Sequence, residues 1–222
     1  MDMKEKVVLI TGGAGALGQT VVPAFVSTGA SIILGDLNPM QVPGVTALKA
    51  DLTDEAQVRN LVDEVIRTSG RLDALINLVG GFAAGRVVET ESSLWQRMLT
   101  MNLTSAFLLS QAVLPSMLQR RHGRIVHVAA RAALEPFAGA AAYIVSKAGL
   151  VGLIRTLALE LEGSGVTVNA VLPSTIDTPA NRRAMPAADR SKWARPDSIA
   201  QTLTFLASDA ASQISGALIP IG

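Results

Sequence analysis

The 222-residue sequence predicts an α/β protein with a doubly wound parallel sheet, in one domain over residues 1–222. Three observations predict it. Short runs rich in β-branched residues are apolar at consecutive positions, as in strands buried on both faces. Each run is separated from the next by a longer segment, most with helical spacing, the alternation of a layered α/β fold. No repeat, low-complexity tract or linker divides the chain.

The elements follow in order. Residues 7–10 read as a buried strand, followed by a glycine-rich turn and a helix to about Thr28. Residues 31–36 form the second strand. An irregular stretch with Pro43 and Gly44 leads to a short strand at 46–49. Residues 54–68 place Val58, Leu61, Val62 and Val65 on one helical face, with Asp54 positioned to cap. Residues 75–79 are a further apolar run. Residues 93–121 are mostly helical, with a break near Asn102. Then come a strand at 124–128, a helix at 141–161, a strand at 166–172, a helix at 196–208 and a last strand at 217–221. Residues 173–193 carry Pro173, Pro179 and Pro186 and no sustained apolar period. A loop of that length in a compact domain is commonly a functional lid or a disordered segment.

Composition narrows the function. Apolar residues make up 49%, and 19 basic residues against 18 acidic give a net charge of +1. This balance gives no reason to expect a nucleic-acid partner. The absence of cysteine excludes disulfides, thiolate metal sites and cysteine nucleophiles, and two histidines make a histidine-based metal site a poor expectation. The first apolar run is four residues long, against about 7–15 for a signal-peptide core. No uninterrupted apolar run nears the ~20 residues of a membrane span. The expectation is a cytoplasmic protein with no metal and no membrane partner.

Chemistry concentrates in three places. The first strand runs into Thr11-Gly12-Gly13-Ala14-Gly15-Ala16-Leu17-Gly18 and then a helix. Outward N–H groups, the helix dipole and missing side chains suit such a turn to a pyrophosphate, so Gly12, Gly15, Ala16, Leu17 and Gly18 are candidate cofactor contacts. Asp36 ends the second strand about 20 residues on, where a carboxylate accepts from both hydroxyls of an adenosine ribose. It would repel a 2′-phosphate, and no Lys or Arg follows until Lys49, so NAD(H) is the expected cofactor. Tyr143, the single tyrosine, stands four residues before Lys147 on a helix, hence on the same face. A nearby ammonium is expected to lower the phenol's pKa from its reference of ~10. His127, inside a strand, reads as a satisfied sheet residue. His122 with Arg120, Arg121 and Arg124 reads as a solvated helix end.

From the glycine loop to the last strand the chain resembles the short-chain dehydrogenases/reductases, a family with a Rossmann-type doubly wound parallel sheet. The matching pieces keep one order: the glycine loop, Asp51-Leu52-Thr53-Asp54, Asn77-Leu78-Val79-Gly80, Met101-Asn102-Leu103, Tyr143-Ile144-Val145-Ser146-Lys147 and Pro173-Ser174-Thr175-Ile176-Asp177-Thr178. The resemblance implies a catalytic set of Tyr143, Lys147 and Asn102, with Asn102 anchoring a water. It places Leu37, Asp51, Leu52, Asn77, Val79, Gly80, Pro173, Thr175, Ile176 and Thr178 against the cofactor, together with Tyr143 and Lys147. It also implies a small-molecule substrate and a homodimer or homotetramer.

Three positions depart from the family pattern. Ala16 replaces the third loop glycine, Leu78 and Val79 replace an Asn-Ala pair, and Ala130 stands where the family carries its catalytic serine, thirteen residues before the tyrosine. Together with the glycine-flanked Phe82 and the run from Val171 to Trp193, these departures resemble the family's dihydropteridine reductase branch. That branch implies hydride transfer to a quinonoid dihydropterin or a similar flat conjugated acceptor, with Phe82, Ala130, Arg131 and Trp193 facing the substrate. Two other readings stand beside it: an enzyme of another small carbonyl or alcohol, and a cofactor-binding regulatory protein without turnover.

Overall fold

The computed structural model describes residues 3–222. Seven strands form one parallel sheet: β1 (Val7–Thr11), β2 (Ser31–Asp36), β3 (Thr46–Lys49), β4 (Ala74–Asn77), β5 (Gly123–Val128), β6 (Val166–Pro173) and β7 (Leu218–Ile221). Their spatial order is β3-β2-β1-β4-β5-β6-β7. The chain therefore winds outward from β1, returns, and winds the other way from β4. The reversal separates the carboxyl ends of β1 and β4, which is where sheets of this kind hold ligands.

Helices cover both faces. α1 (Gly18–Val26) and α7 (Pro196–Ala207) pack on one side, where Val22, Phe25, Ile199 and Leu203 meet Val8, Ile10, Leu34 and Ile76. α2 (Glu55–Ser69), α4 (Ser105–Arg120) and α5 (Ala141–Glu160) cover the other, where Leu61, Leu109 and Ile154 meet Leu9, Leu75, Ile125 and Val168. Alternate residues of one strand thus enter opposite cores, which is why the strands are apolar throughout. α2 begins as its sequence demands: Asp54 accepts from the Gln57 N–H at 2.9 Å, and Gly70 closes the helix in a left-handed conformation.

The expected break near Asn102 is not a break. α3 (Ser92–Leu99) continues through a π-helical turn, Thr100–Thr104, directly into α4. A single wide turn re-aims the helix without ending it. The lid region also has more order than its prolines suggest. Pro179 is the first residue of a short helix, α6 (Pro179–Ala184), capped by Thr178. The strand expected to reach residue 79 ends at Asn77, leaving Leu78 and Val79 in the turn beyond it.

Two helical stretches, Ser92–Arg120 and Ala141–Glu160, are long and apolar enough to cross a membrane by length and composition, although polar residues interrupt the apolar run of each. Within them α4 and α5 lay one side against the sheet in the core. At the pole opposite the strand carboxyl ends, the basic cluster is also not the solvated helix end expected. Asp73, 2% exposed, accepts from the Val7 N–H, from Arg71 and from Arg120 at 2.7–2.9 Å. Arg124 is buried and donates to the carbonyls of Gly123 and Gly165, while Lys6 pairs with Asp209.

Candidate active site

The glycine loop leaves β1 in a tight turn. Gly12 has φ +73°, and a Cβ there would lie 2.7 Å from Val79 N and 2.8 Å from the Leu78 carbonyl carbon. Only glycine lets the loop lie against the turn that follows β4. Ala14 to Ala16 are exposed just before α1, where the leading N–H groups of a helix lack the carbonyls of a preceding turn. Ala16 therefore sits on the open side of the loop, where a methyl group is accommodated. Asp36 reaches this loop, its Oδ2 accepting from the Ala14 N–H at 3.2 Å. The strand register sets Lys49 of β3 beside Asp36, a neighbour that separation in sequence concealed. Exposed backbone donors with a carboxylate at their edge fit the pyrophosphate and ribose of a dinucleotide. Leu37 is exposed just beyond Asp36, and Leu52 is buried under the next loop. Asp51 accepts from the hydroxyl and N–H of Thr53, which hold its carboxyl below the usual range.

The second half of the site converges on Gly80. A Cβ at this position would lie 2.9 Å from Asn102 Oδ1 and 3.0 Å from Lys147 Nζ, so the β4 loop passes directly over both side chains. Asn102 is 0% exposed. It accepts from the Gly81 N–H at 2.8 Å and donates to the Gly81 carbonyl at 3.1 Å and to Ser146 Oγ at 2.9 Å. Ser146 in turn donates to the Tyr143 carbonyl at 2.7 Å. The π turn is thus tied to the β4 loop and to α5 at once. Ser146 is a site residue whose role the sequence does not reveal; its place between Tyr143 and Lys147 is the one signal there.

Tyr143 and Lys147 share one face of α5, as their spacing predicts, yet their electrostatics differ from the expectation. Lys147 Nζ donates to the Val128 carbonyl at 2.8 Å, and burial lowers its pKa to about 8. Tyr143 is raised above its ordinary value by burial, with no lowering from the ammonium. The phenol therefore stays protonated at neutral pH, the state a proton donor requires.

Phe82 is 61% exposed and meets the Tyr143 ring edge-on, with centroids 5.0 Å apart and planes at 74°. Ala130 is 5% exposed, two residues beyond β5 at the start of a short 3-10 turn. The buried hydroxyl of Ser146 is already engaged on both sides, so it does not take the place of a hydroxyl at 130. Arg131 follows Ala130. Its Nη2 donates to the Gly222 carbonyl, while its buried Nε has no partner among the described residues. Across the cleft the lid is closed at its neck, where Ile176 bridges Ala194 and the Thr175 carbonyl accepts from the Ala194 N–H at 2.9 Å. Pro173 ends β6 beneath it. Trp193 lies under the guanidinium of Arg190, 5.7 Å from the ring centroid, a contact within the lid itself. No group of three or more metal-ligating residues occurs among the described residues.

A family model described as short chain dehydrogenase matches residues 6–189. The chain belongs to the short-chain dehydrogenase/reductase family. The 3-oxoacyl-(acyl-carrier-protein) reductase FabG of Thermotoga maritima is 32% identical, the match covering 100% of this chain and 98% of that protein. The meso-2,3-butanediol dehydrogenase of Serratia marcescens is 33% identical, covering 100% of this chain and 94% of that protein. Among solved structures, the ligand-free aldohexose dehydrogenase of Thermoplasma acidophilum superposes with a TM-score of 0.90 at 26% identity, covering 98% of this chain and 92% of that one. As a short-chain dehydrogenase/reductase the protein is an oxidoreductase using a nicotinamide dinucleotide. These relatives are named for carbonyl and alcohol substrates. They do not support the narrower likeness to dihydropteridine reductase, and the broader reading fits them better.

Proposed function

We propose that the protein transfers hydride between NAD(H) and a small carbonyl or alcohol, with Tyr143 as proton donor and acceptor. The observation that carries this is the convergence of Tyr143, Lys147 and Asn102 beneath the β4 loop at Gly80. The bound dinucleotide supplies or accepts the hydride. Asp36 accepts from the ribose hydroxyls, and its charge disfavours a 2′-phosphate. Lys147, anchored on the Val128 carbonyl, holds the nicotinamide ribose with its remaining N–H groups. Because protein partners engage the Asn102 side chain, a water in the proton path is anchored by its main-chain carbonyl. Tyr143 delivers the proton to the substrate oxygen as hydride arrives. A steady-state screen with NADH and NADPH against small ketones, diketones and secondary alcohols tests this; absence of turnover with all of them overturns it.

A second reading has its own support. Without a hydroxyl at 130, a carbonyl oxygen loses a donor of the kind worth about 10²–10³ in turnover elsewhere. A flat conjugated acceptor such as a quinonoid dihydropterin needs that donor less, and the exposed ring of Phe82 beside Tyr143 offers it a stacking surface. Efficient reduction of the dihydropterin with weak ketone activity favours this reading. Dinucleotide binding with no turnover on either class favours a regulatory role.

We also propose a homodimer or homotetramer paired through α4 and α5. The support is Phe107, Leu118, Val145 and Leu159, large apolar side chains exposed on helices whose other sides are in the core. A monomeric mass by light scattering at micromolar concentration overturns it.

A further inference from the structure

Thr11, Asn77 and His127 sit side by side in register on β1, β4 and β5, the first two at the ends of the strands that bound the reversal point and His127 one strand further along. All three are buried, His127 completely, between Val126 and Val128 in the middle of the sheet. A polar ring in that position is costly unless both nitrogens are satisfied, and here they are. His127 Nδ1 lies 3.1 Å from Asn77 Nδ2, and Nε2 lies 3.1 Å from Ser110 Oγ of α4.

The donors and acceptors run in one direction. Ser110 donates its hydroxyl proton to the Ala106 carbonyl at 2.7 Å, so its oxygen is left to accept. His127 Nε2 must then carry the ring proton, and Nδ1 is a bare acceptor. That acceptor turns the nitrogen of the Asn77 amide toward β5. The Asn77 oxygen consequently faces the other way, where it accepts from Thr11 Oγ1 at 3.0 Å and from the Val79 N–H at 3.0 Å. A flipped amide would aim two donors at the Val79 donor. His127 is neutral throughout, because burial lowers its pKa to about 3.

We infer that His127 is a positioning residue for the dinucleotide site, fixing through the Asn77 amide the turn on which the glycine loop rests. Val79, whose N–H this amide holds, is the residue that Gly12 packs against. The chain of bonds therefore sets how the two loops bordering the reversal point lie against each other. The inference rests on the dinucleotide reading of that site.

Two near-isosteric replacements separate this role from simple burial of a polar group. In His127→Asn the amide occupies the place of Nδ1 and can accept from Asn77. In His127→Gln it reaches the place of Nε2, serving Ser110 and leaving Asn77 without its acceptor. Both are neutral, and both are expected to lower the melting temperature. Dissociation constants for NADH and NADPH, measured by titration calorimetry, should stay within about threefold of the parent in H127N. In H127Q they should weaken roughly 10- to 100-fold, the scale of a buried polar group left unmatched. Turnover at saturating cofactor should change little in either. Without dinucleotide, the Val79 amide and Asn77 side-chain NMR resonances should move in H127Q and hold in H127N.

Equal weakening in H127N and H127Q, or no weakening in either, overturns the inference. If H127Q does not fold, weakened affinity in H127N overturns it alone. A parent that prefers NADPH, or turns over no substrate, defeats the proposed function instead, while the Asn/Gln contrast on whichever dinucleotide binds still decides the role of His127.

Discussion

Lys147 and Tyr143 stand four residues apart, and their behaviour depends on where each side chain ends. Their shared face follows from helical spacing; their protonation states do not, because burial outweighs proximity for both. Tyr143→Phe removes the proton donor and nothing that shapes the dinucleotide cleft. Turnover should fall roughly 10²–10⁴-fold, with NADH affinity nearly unchanged in a fluorescence titration. Lys147 adds a stability signature. Its pKa is about 8 folded against an ordinary 10.5, so between those values the unfolded chain binds the proton that the folded chain has released. Stability must then rise with pH across that window, at a limiting slope of about 1.4 kcal/mol per pH unit. Urea midpoints at pH 8, 9 and 10 should rise for the parent relative to Lys147→Met; a constant difference would contradict the burial of the ammonium. Cofactor choice belongs to this scale as well. Asp36→Ser with Leu37→Arg should move the preference in kcat/KM from NADH toward NADPH. Equal values for both cofactors in the parent would remove Asp36 as the selector.

Among the elements, those read correctly from sequence are the ones whose cause is local. α2 is an example: the capping Asp54, four apolar residues on one face and a closing glycine are all contiguous signals. The π turn at Thr100–Thr104 was legible only as an irregularity, because its cause is tertiary: the Asn102 side chain joins Gly81 on one loop to Ser146 on another helix. The order in the lid was hidden similarly, since its prolines signal a break while its neck is closed by Ala194. Asn102→Ala tests the tertiary origin. Gly81 loses partners for its N–H and its carbonyl, and the Ser146 oxygen loses a donor, at an expected cost of about 1–3 kcal/mol. Amide exchange at Gly81 and in the π turn should accelerate while α2 keeps its protection. Uniform acceleration throughout would mean that the amide stabilises the fold generally instead of holding that turn.

On the scale of the whole molecule the sheet has two unlike poles. Every candidate catalytic residue lies at the pole where the strands have their carboxyl ends, with Lys147 on the Val128 carbonyl and Asn102 beneath Gly80, and the sequence announced that pole through the glycine loop and the Tyr143–Lys147 pair. The opposite pole gave no comparable signal, because its centre, Asp73, collects partners from positions as distant as Val7 and Arg120. Burial raises the Asp73 carboxyl, but the bonds from Arg71, the Val7 N–H and Arg120 outweigh it, and the net shift is below the ordinary value of 3.8. A depressed carboxylate contributes stability that is fully present above its unfolded pKa and is lost as pH falls through the folded value. Asp73→Asn should therefore lower stability at pH 7 by about 2–4 kcal/mol, below the full cost of breaking a buried pair because both arginines keep access to water. For a chain of this size that is a fall of several degrees in melting temperature. The difference between parent and variant should shrink as the pH is lowered past about 3.8. Dinucleotide affinity should not change, because the substitution lies at the far end of β4 from Asn77. A variant as stable as the parent at pH 7, or one that loses dinucleotide binding while still folded, would show that the two poles do not divide stability from chemistry in this way.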